Sequence, residues 1–141
     1  MKIWKKNYTL AQLNDFAANC AVAHLGIEFS AQGDDWLEAT MPIDHRTTQP
    51  MGYLHGGISC ALAETVGSAA GFCCVNEDQA VLGAEINASH LRPVTKGKVT
   101  ARATPIRLGK NIHVWQINIH DEEHKICCSS RLTLSVITIN Q

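Results

Sequence analysis

The sequence predicts an α+β protein in which a curved antiparallel sheet of about six strands wraps one long central helix. Three observations predict it. Residues 54–75 are apolar nearly all round and hold one charge, Glu64; no other Asp, Glu, Lys or Arg occurs from Thr47 through Asn76. Six segments alternate apolar and polar residues with the two-residue period of a strand. Two of these precede the apolar run and four follow it, which places the helix between strands two and three. A helix with one apolar stripe can lie on a flat sheet, but one that is apolar all round must be enclosed.

The elements follow in order. Thr9 can cap a first helix, "TLAQLNDFAANCA", with Leu10, Leu13, Phe16 and Ala17 at helical spacing. "GIEFSAQGDDWLEATMPI" reads as two strands joined by a turn at Gly33-Asp34-Asp35. In the second strand Leu37, Ala39, Met41 and Ile43 share a face. "DHRTTQPMGYL" has turn-prone residues and no period, so it is a loop. The long helix then starts at Gly56-Gly57 and ends before Asn76-Glu77-Asp78. The third strand puts Leu82, Ala84, Ile86, Ala88 and His90 on one face, and the fourth Val99, Ala101 and Ala103. The fifth aligns His113, Trp115, Ile117 and Ile119, and the sixth Ile126, Cys128, Leu132, Leu134 and Val136. Turns at Lys96-Gly97, Gly109-Lys110 and Glu122-Glu123 imply a meander.

Bulk properties exclude several classes. A chain of 141 residues, 45% hydrophobic and 18% charged, fits one domain over 1–141 with a packed core. A net charge of −1 gives no footprint for nucleic acid or a membrane surface. A central Glu and Gly56, Gly57, Gly67 and Gly71, with Gly52 just before, argue against residues 54–75 as a membrane span. The six cysteines form no C-x-x-C, so buried free thiols are expected rather than zinc or disulfides. The histidines have no metal-binding spacing, and no metal is expected. The N-terminus lacks the apolar core of a signal peptide, which leaves a cytoplasmic location as the expectation.

The lone carboxylate has two readings. Glu64 can reach the surface or pair with a buried Arg such as Arg131; or it lines a ligand cavity, where a costly partly buried charge is kept because it is used as a general base. "HGG" adds the N–H groups of Gly56 and Gly57 at the positive end of a helix, able to hold an oxygen that becomes negative during attack on a carbonyl. A base with an oxyanion donor suits acyl hydrolysis, and no G-x-S-x-G elbow offers a serine route. Gly56 and Glu64 are separated by roughly 12 Å along one helix. Two antiparallel copies of the helix remove that difficulty, so the sequence predicts a homodimer with sites shared across a two-fold axis. Ser68, one turn after Glu64, either hydrogen-bonds its carboxylate or packs the helix. Gln49 and His55 flank the helix start, His55 also reading as a simple cap; His90 either faces the cavity or is a satisfied core group.

Taken together, "LEATMPIDHRTTQP", "LHGGISCALAETVGSAAG", "LGAEINASHLRP", "VWQINIHDE" and "CCSSRLT" resemble the hotdog-fold acyl-CoA thioesterases, in the phenylacetate-type branch associated with enterobactin and menaquinone synthesis. The resemblance spans nearly the whole chain. It implies a hotdog fold, a homodimer and commonly a homotetramer, and hydrolysis of an acyl- or aryl-CoA thioester without metal or cofactor. 1,4-Dihydroxy-2-naphthoyl-CoA is among the implied substrates, and aryl or acyl groups on a carrier protein are the alternative. Glu64 falls on the family's catalytic carboxylate, as base or nucleophile, and Gly56 on its carbonyl-polarising N–H. Gln49, His55, Ser68 and His90 match polar positions around the reacting group. The family's CoA-side segments fall on Gly83, on His90, Leu91, Arg92 and Pro93, and on Arg107, Leu108, Gly109, Lys110, Asn111 and Ile112. Two other readings compete with the thioesterase that the resemblance implies: a non-catalytic acyl-CoA-binding protein and a dehydratase of the same fold. Glu64 beside H-G-G argues against the first; no acid–base pair aimed at a β-hydroxyl is identifiable for the second.

Overall fold

The computed structural model describes residues 1–139. Helix α1 spans Leu10–Phe16 and α2 Ala21–His24; strands β1 (Glu28–Gln32) and β2 (Leu37–Pro42) follow. The long helix α3 covers Gly56–Cys73, and four strands come after it: β3 (Gln79–His90), β4 (Lys98–Leu108), β5 (Ile112–His120) and β6 (Ile126–Thr138). Thr9 closes a capping box with Gln12, as its position before the first helix requires. That helix is shorter than its apolar spacing implies. Cys20 is extended, with φ −146°, so the chain resets there and starts α2 as a separate turn.

All six strands form one antiparallel sheet in the order β1-β2-β4-β5-β6-β3. Only β4-β5-β6 is a meander. β3 leaves the helix for the far edge, and residues 91–97 carry the chain back across to β4, so Lys96-Gly97 is not a hairpin turn between paired strands. The inner faces of β2, β4, β5 and β6 are as the alternation requires. Leu37, Ala39, Met41, Val99, Ala101, Ala103, Trp115, Ile117, Ile119, Leu132 and Leu134 have no exposed surface.

The face read for β3 changes partway along. A bulge between Gly83 and Glu85 shifts the register, so Val81 and Gly83 share the inner face with Ile86, Ala88 and His90. Leu82 therefore points outward, 58% exposed, and Ala84 falls in the bulge. A strict two-residue period cannot anticipate an inserted residue.

Strands β2 to β6 all touch α3. Ser59, Leu62, Ala63, Val66, Gly67, Ala70, Gly71 and Cys73 are buried. A Cβ at Gly67 would meet Leu132, and one at Gly71 Leu134, so these small residues let the sheet approach the helix axis. The opposite flank of α3, with Ala61, Glu64, Thr65, Ser68, Ala69 and Phe72, stays half-exposed. The N-terminal segment straps the end of the helix: Lys5 N–H and Lys6 N–H both donate to Cys73 O, at 2.8 and 3.0 Å. Asn14 bonds both the N–H and the C=O of Phe29, tying α1 to the β1 edge.

All six cysteines are free, but only Cys73, Cys74, Cys127 and Cys128 are buried; Cys20 is exposed and Cys60 half-buried. Among the described residues no helix is long and apolar enough to cross a membrane.

Candidate active site

The loop before α3 is built from Asp44. Its carboxylate takes a two-pronged grip from Arg46, at 3.1 and 2.7 Å, and that pairing holds its pKa down to about 2. The loop ends in a turn about Gln49. Gln49 Oε1 accepts from Met51 N–H at 2.5 Å, and Gln49 N–H donates to Tyr53 O at 2.8 Å.

His55 is the N-cap of α3. Its Nδ1 accepts from Gly57 N–H at 2.9 Å and from Ile58 N–H at 3.3 Å, while Ser59 N–H bonds His55 O. Of the four N–H groups that open a helix, only Gly56 N–H has no partner among the described residues. This narrows the candidates for an oxyanion donor to Gly56 N–H. Gly57 N–H, also a candidate from "HGG", is already spent on the cap. The imidazole of His90 stands over Gly56; a Cβ there would lie 2.9 Å from His90 Nε2. Gln49, Gly56, His90, Leu91, Arg92 and Pro93 thus share one cleft of about 360 Å³, with Tyr53 and Leu54.

Glu64 lies elsewhere. It faces a groove of about 800 Å³ whose walls are apolar except for Glu64, Ser68 and a few hydroxyls. It forms no ion pair among the described residues, and Arg131 is exposed on the outer face of the sheet, so pairing with Arg131 is ruled out. Gly83 lies against the Glu64 carboxylate, so closely that a Cβ would collide with Oε2. Gly83 therefore belongs with the acid, not with the cleft. Ser68 lines the same groove, but no hydrogen bond joins it to Glu64 among the described residues. The nearby thiols are poor nucleophiles. Burial, then the Glu64 charge, pushes Cys60 up, and burial takes Cys127, beside the cleft, to about 11.

The segment Arg107–Ile112 joins neither group. It turns at the C-terminal end of α3, where Leu108, Gly109 and Lys110 border a pocket with Lys5, Cys74 and His113. Within one chain the site residues fall into three separate places along the helix.

Several groove residues carried no signal of function in the sequence. Tyr8, Phe16, Phe29 and Phe72 build its aromatic wall. Phe16 has helix-core spacing, yet it is 64% exposed and packs edge-on to Tyr8 at 5.0 Å. Among the described residues no cluster of His, Cys, Asp or Glu could hold a metal.

A family model described as "Thioesterase superfamily" matches residues 51–128, from the loop through the helix into β6. The chain belongs to the thioesterase superfamily. It is a thioester hydrolase with a hotdog fold. A crystallised thioesterase of Haemophilus influenzae superposes with TM-score 0.97 at 65% identity, over 99% of this chain and 97% of its own. The 1,4-dihydroxy-2-naphthoyl-CoA hydrolase of Escherichia coli K12 is 50% identical over 96% of this thioesterase and 99% of its own length. A "Proofreading thioesterase EntH" of Cronobacter turicensis is likewise 50% identical, over 96% and 98%.

Proposed function

We propose that this thioesterase hydrolyses aryl- or acyl-CoA to the free acid and CoA, in a homodimer whose two sites each combine Glu64 of one subunit with Gly56 of the other. The observation that carries this reading is the separation of the free Gly56 N–H from Glu64: roughly 12 Å along a single helix. Neither group alone can both activate a nucleophile and hold the oxyanion. β3 is a sheet edge with unpaired backbone groups, suited to pairing with its own copy about a two-fold axis. Antiparallel pairing sets the Gly56 end of one α3 against the middle of the other. The Arg107–Ile112 hairpin, at the C-terminal end of α3, then lies beside the other subunit's His90–Pro93. Leu82, Ile112 and Ile137, exposed around Ser135 on the outer face, supply an apolar patch for joining two dimers into a tetramer.

The chemistry follows. The acyl group lies in the groove, with its carbonyl oxygen on Gly56 N–H. Glu64 takes a proton from water, the new C–O bond forms, and negative charge develops on the oxygen held by Gly56. Collapse breaks the C–S bond and releases the thiolate of CoA. His90 and Gln49 border the reacting carbonyl, and Arg92 with the hairpin lines the path of the nucleotide. 1,4-Dihydroxy-2-naphthoyl-CoA is the substrate favoured by the E. coli relative. Acyl or aryl groups on a carrier protein are the second reading, the alternative that the family resemblance implies; a Cronobacter relative at the same identity is named a proofreading thioesterase.

The test is complementation. Glu64→Ala and Gly56→Val are each expected to lower kcat by about 10²–10⁴. Mixed dimers of the two keep one intact site, so remixing should restore up to about a quarter of wild-type activity. No recovery in verified mixed dimers would place both groups in one subunit's site. Comparing CoA with carrier-protein thioesters of the same aryl acid decides between the two substrate forms.

A further inference from the structure

Lys6 is a buried cation that the reaction does not use. The residue is 4% exposed, and among the described residues no carboxylate lies within ion-pairing distance of it. Its ammonium has two partners: Gln79 O at 2.8 Å, and the face of the Phe72 ring, with Nζ 3.5 Å from the centroid. Burying an ammonium is costly, and an apolar side chain of similar length would fill the space with less penalty. What the cation adds is direction. A charge over an aromatic face holds the ring in place, and a methionine or leucine would let it turn.

The ring it holds is part of the acyl groove. Phe72 lies eight residues after Glu64, about 12 Å farther along the helix. Tyr8 stacks parallel to Phe72, with centroids 6.0 Å apart, and Phe16 meets Tyr8 edge-on. Lys6, Phe72, Tyr8 and Phe16 form one linked wall at the end of the groove away from Gly56, anchored to the strap that bonds Cys73 O. The span from Glu64 to this wall, about 12 Å along the helix, is shorter than an extended twelve-carbon acyl chain, which is roughly 15 Å long, and longer than a one-ring or two-ring aryl group.

We propose that Lys6 is a positioning residue for specificity: acting through Phe72, it fixes the end wall of the acyl groove and so limits the size of acyl group hydrolysed. This rests on the reading of the groove as the acyl site. The experiment measures kcat and KM for benzoyl-CoA, hexanoyl-CoA and dodecanoyl-CoA in wild type, Lys6→Met, Lys6→Arg and Ala69→Trp, with thermal melts of each.

In Lys6→Met, kcat for benzoyl-CoA should stay within about twofold of wild type. Its kcat/KM ratio of dodecanoyl- to benzoyl-CoA should rise by about tenfold or more, through KM. Lys6→Arg should keep the wild-type ratio. An unchanged ratio in Lys6→Met overturns the proposal, whether or not overall activity or melting temperature falls. If Lys6→Met does not fold, Phe72→Leu should show the same rise, and an unchanged ratio there overturns it equally. Ala69→Trp fills the groove and should abolish hydrolysis of all three. Full activity in that variant would remove the acyl group from the groove, and this proposal with it. Lost activity there with an unmoved Lys6→Met ratio would sink the role of Lys6 alone.

Discussion

The Glu64 carboxylate rests on the backbone of Gly83, where no side chain larger than a hydrogen fits. Two distant parts of the sequence are thereby fixed to each other: the middle of α3 and the bulge of the β3 edge. Gly83→Ala should push the acid off its position while leaving the sheet intact, since β3 pairs with β6 through its backbone. A displacement of about 1 Å can lower turnover on the order of 100-fold. The expected result is a large fall in kcat for benzoyl-CoA with a melting temperature close to wild type.

Gly56 offers the same separation of activity from stability. A Cβ there stands 2.9 Å from His90 Nε2 and crowds the N–H of the helix start that has no partner among the described residues. Alanine nevertheless favours helix over glycine by up to about 1 kcal/mol. Gly56→Ala should therefore melt at or above wild type and lose catalysis. His90→Ala in the same chain removes the clash and should return part of the rate, a coupling that a double-mutant cycle reads directly.

His55 has a cap's work to do whatever else it does. Its Nδ1 satisfies two helix N–H groups. His55→Ala should destabilise the protein by about 1 kcal/mol in urea unfolding. His55→Asn, a good N-cap, should recover most of that. If activity stays low in His55→Asn while stability returns, the imidazole has a second role in the cleft. If both return together, capping is its whole contribution.

The parts of this molecule that alternate or run with helical spacing were legible in its sequence. The inner faces of β2, β4, β5 and β6 follow from the positions of Leu37, Val99, Trp115 and Leu132, because burial on one side imposes the two-residue period. The β3 face was not, because the bulge at Gly83–Glu85 adds a residue that no period encodes. Its pairing with β6 was not either. Adjacent strands in sequence are usually neighbours, and the crossover after His90 breaks that habit. At the site, Glu64 and Gly56 stood out because a lone charge and paired glycines are anomalies in an apolar run. Tyr8, Phe16 and Phe72 did not, since an aromatic on a helix looks the same whether it faces a core or a groove. Lys6 was hidden for a related reason: among four lysine and aromatic residues in "WKKNY", nothing local tells which cation is buried.

The buried pair His113 and Trp115 ties stability to pH. His113 is 2% exposed, and Trp115 Nε1–H donates to its Nδ1 at 3.5 Å. Burial, with Lys5 adding to it, pushes the His113 pKa below its ordinary 6.5. The unfolded chain therefore takes up this proton first as pH falls. Stability should be constant in this respect above about pH 6.5 and decline below it, until the folded protein also binds the proton, by at most about 1.4 kcal/mol per pH unit. Protonation also converts Nδ1 from acceptor to donor, leaving the buried Trp115 N–H without a partner. Urea unfolding between pH 7 and pH 4, followed by tryptophan fluorescence, reads the decline. His113→Gln keeps an acceptor in reach of Trp115 but cannot titrate, so its slope over the same range should be shallower by the contribution of one proton. Equal slopes in the two proteins would show that His113 is protonated alike in the folded and unfolded chains.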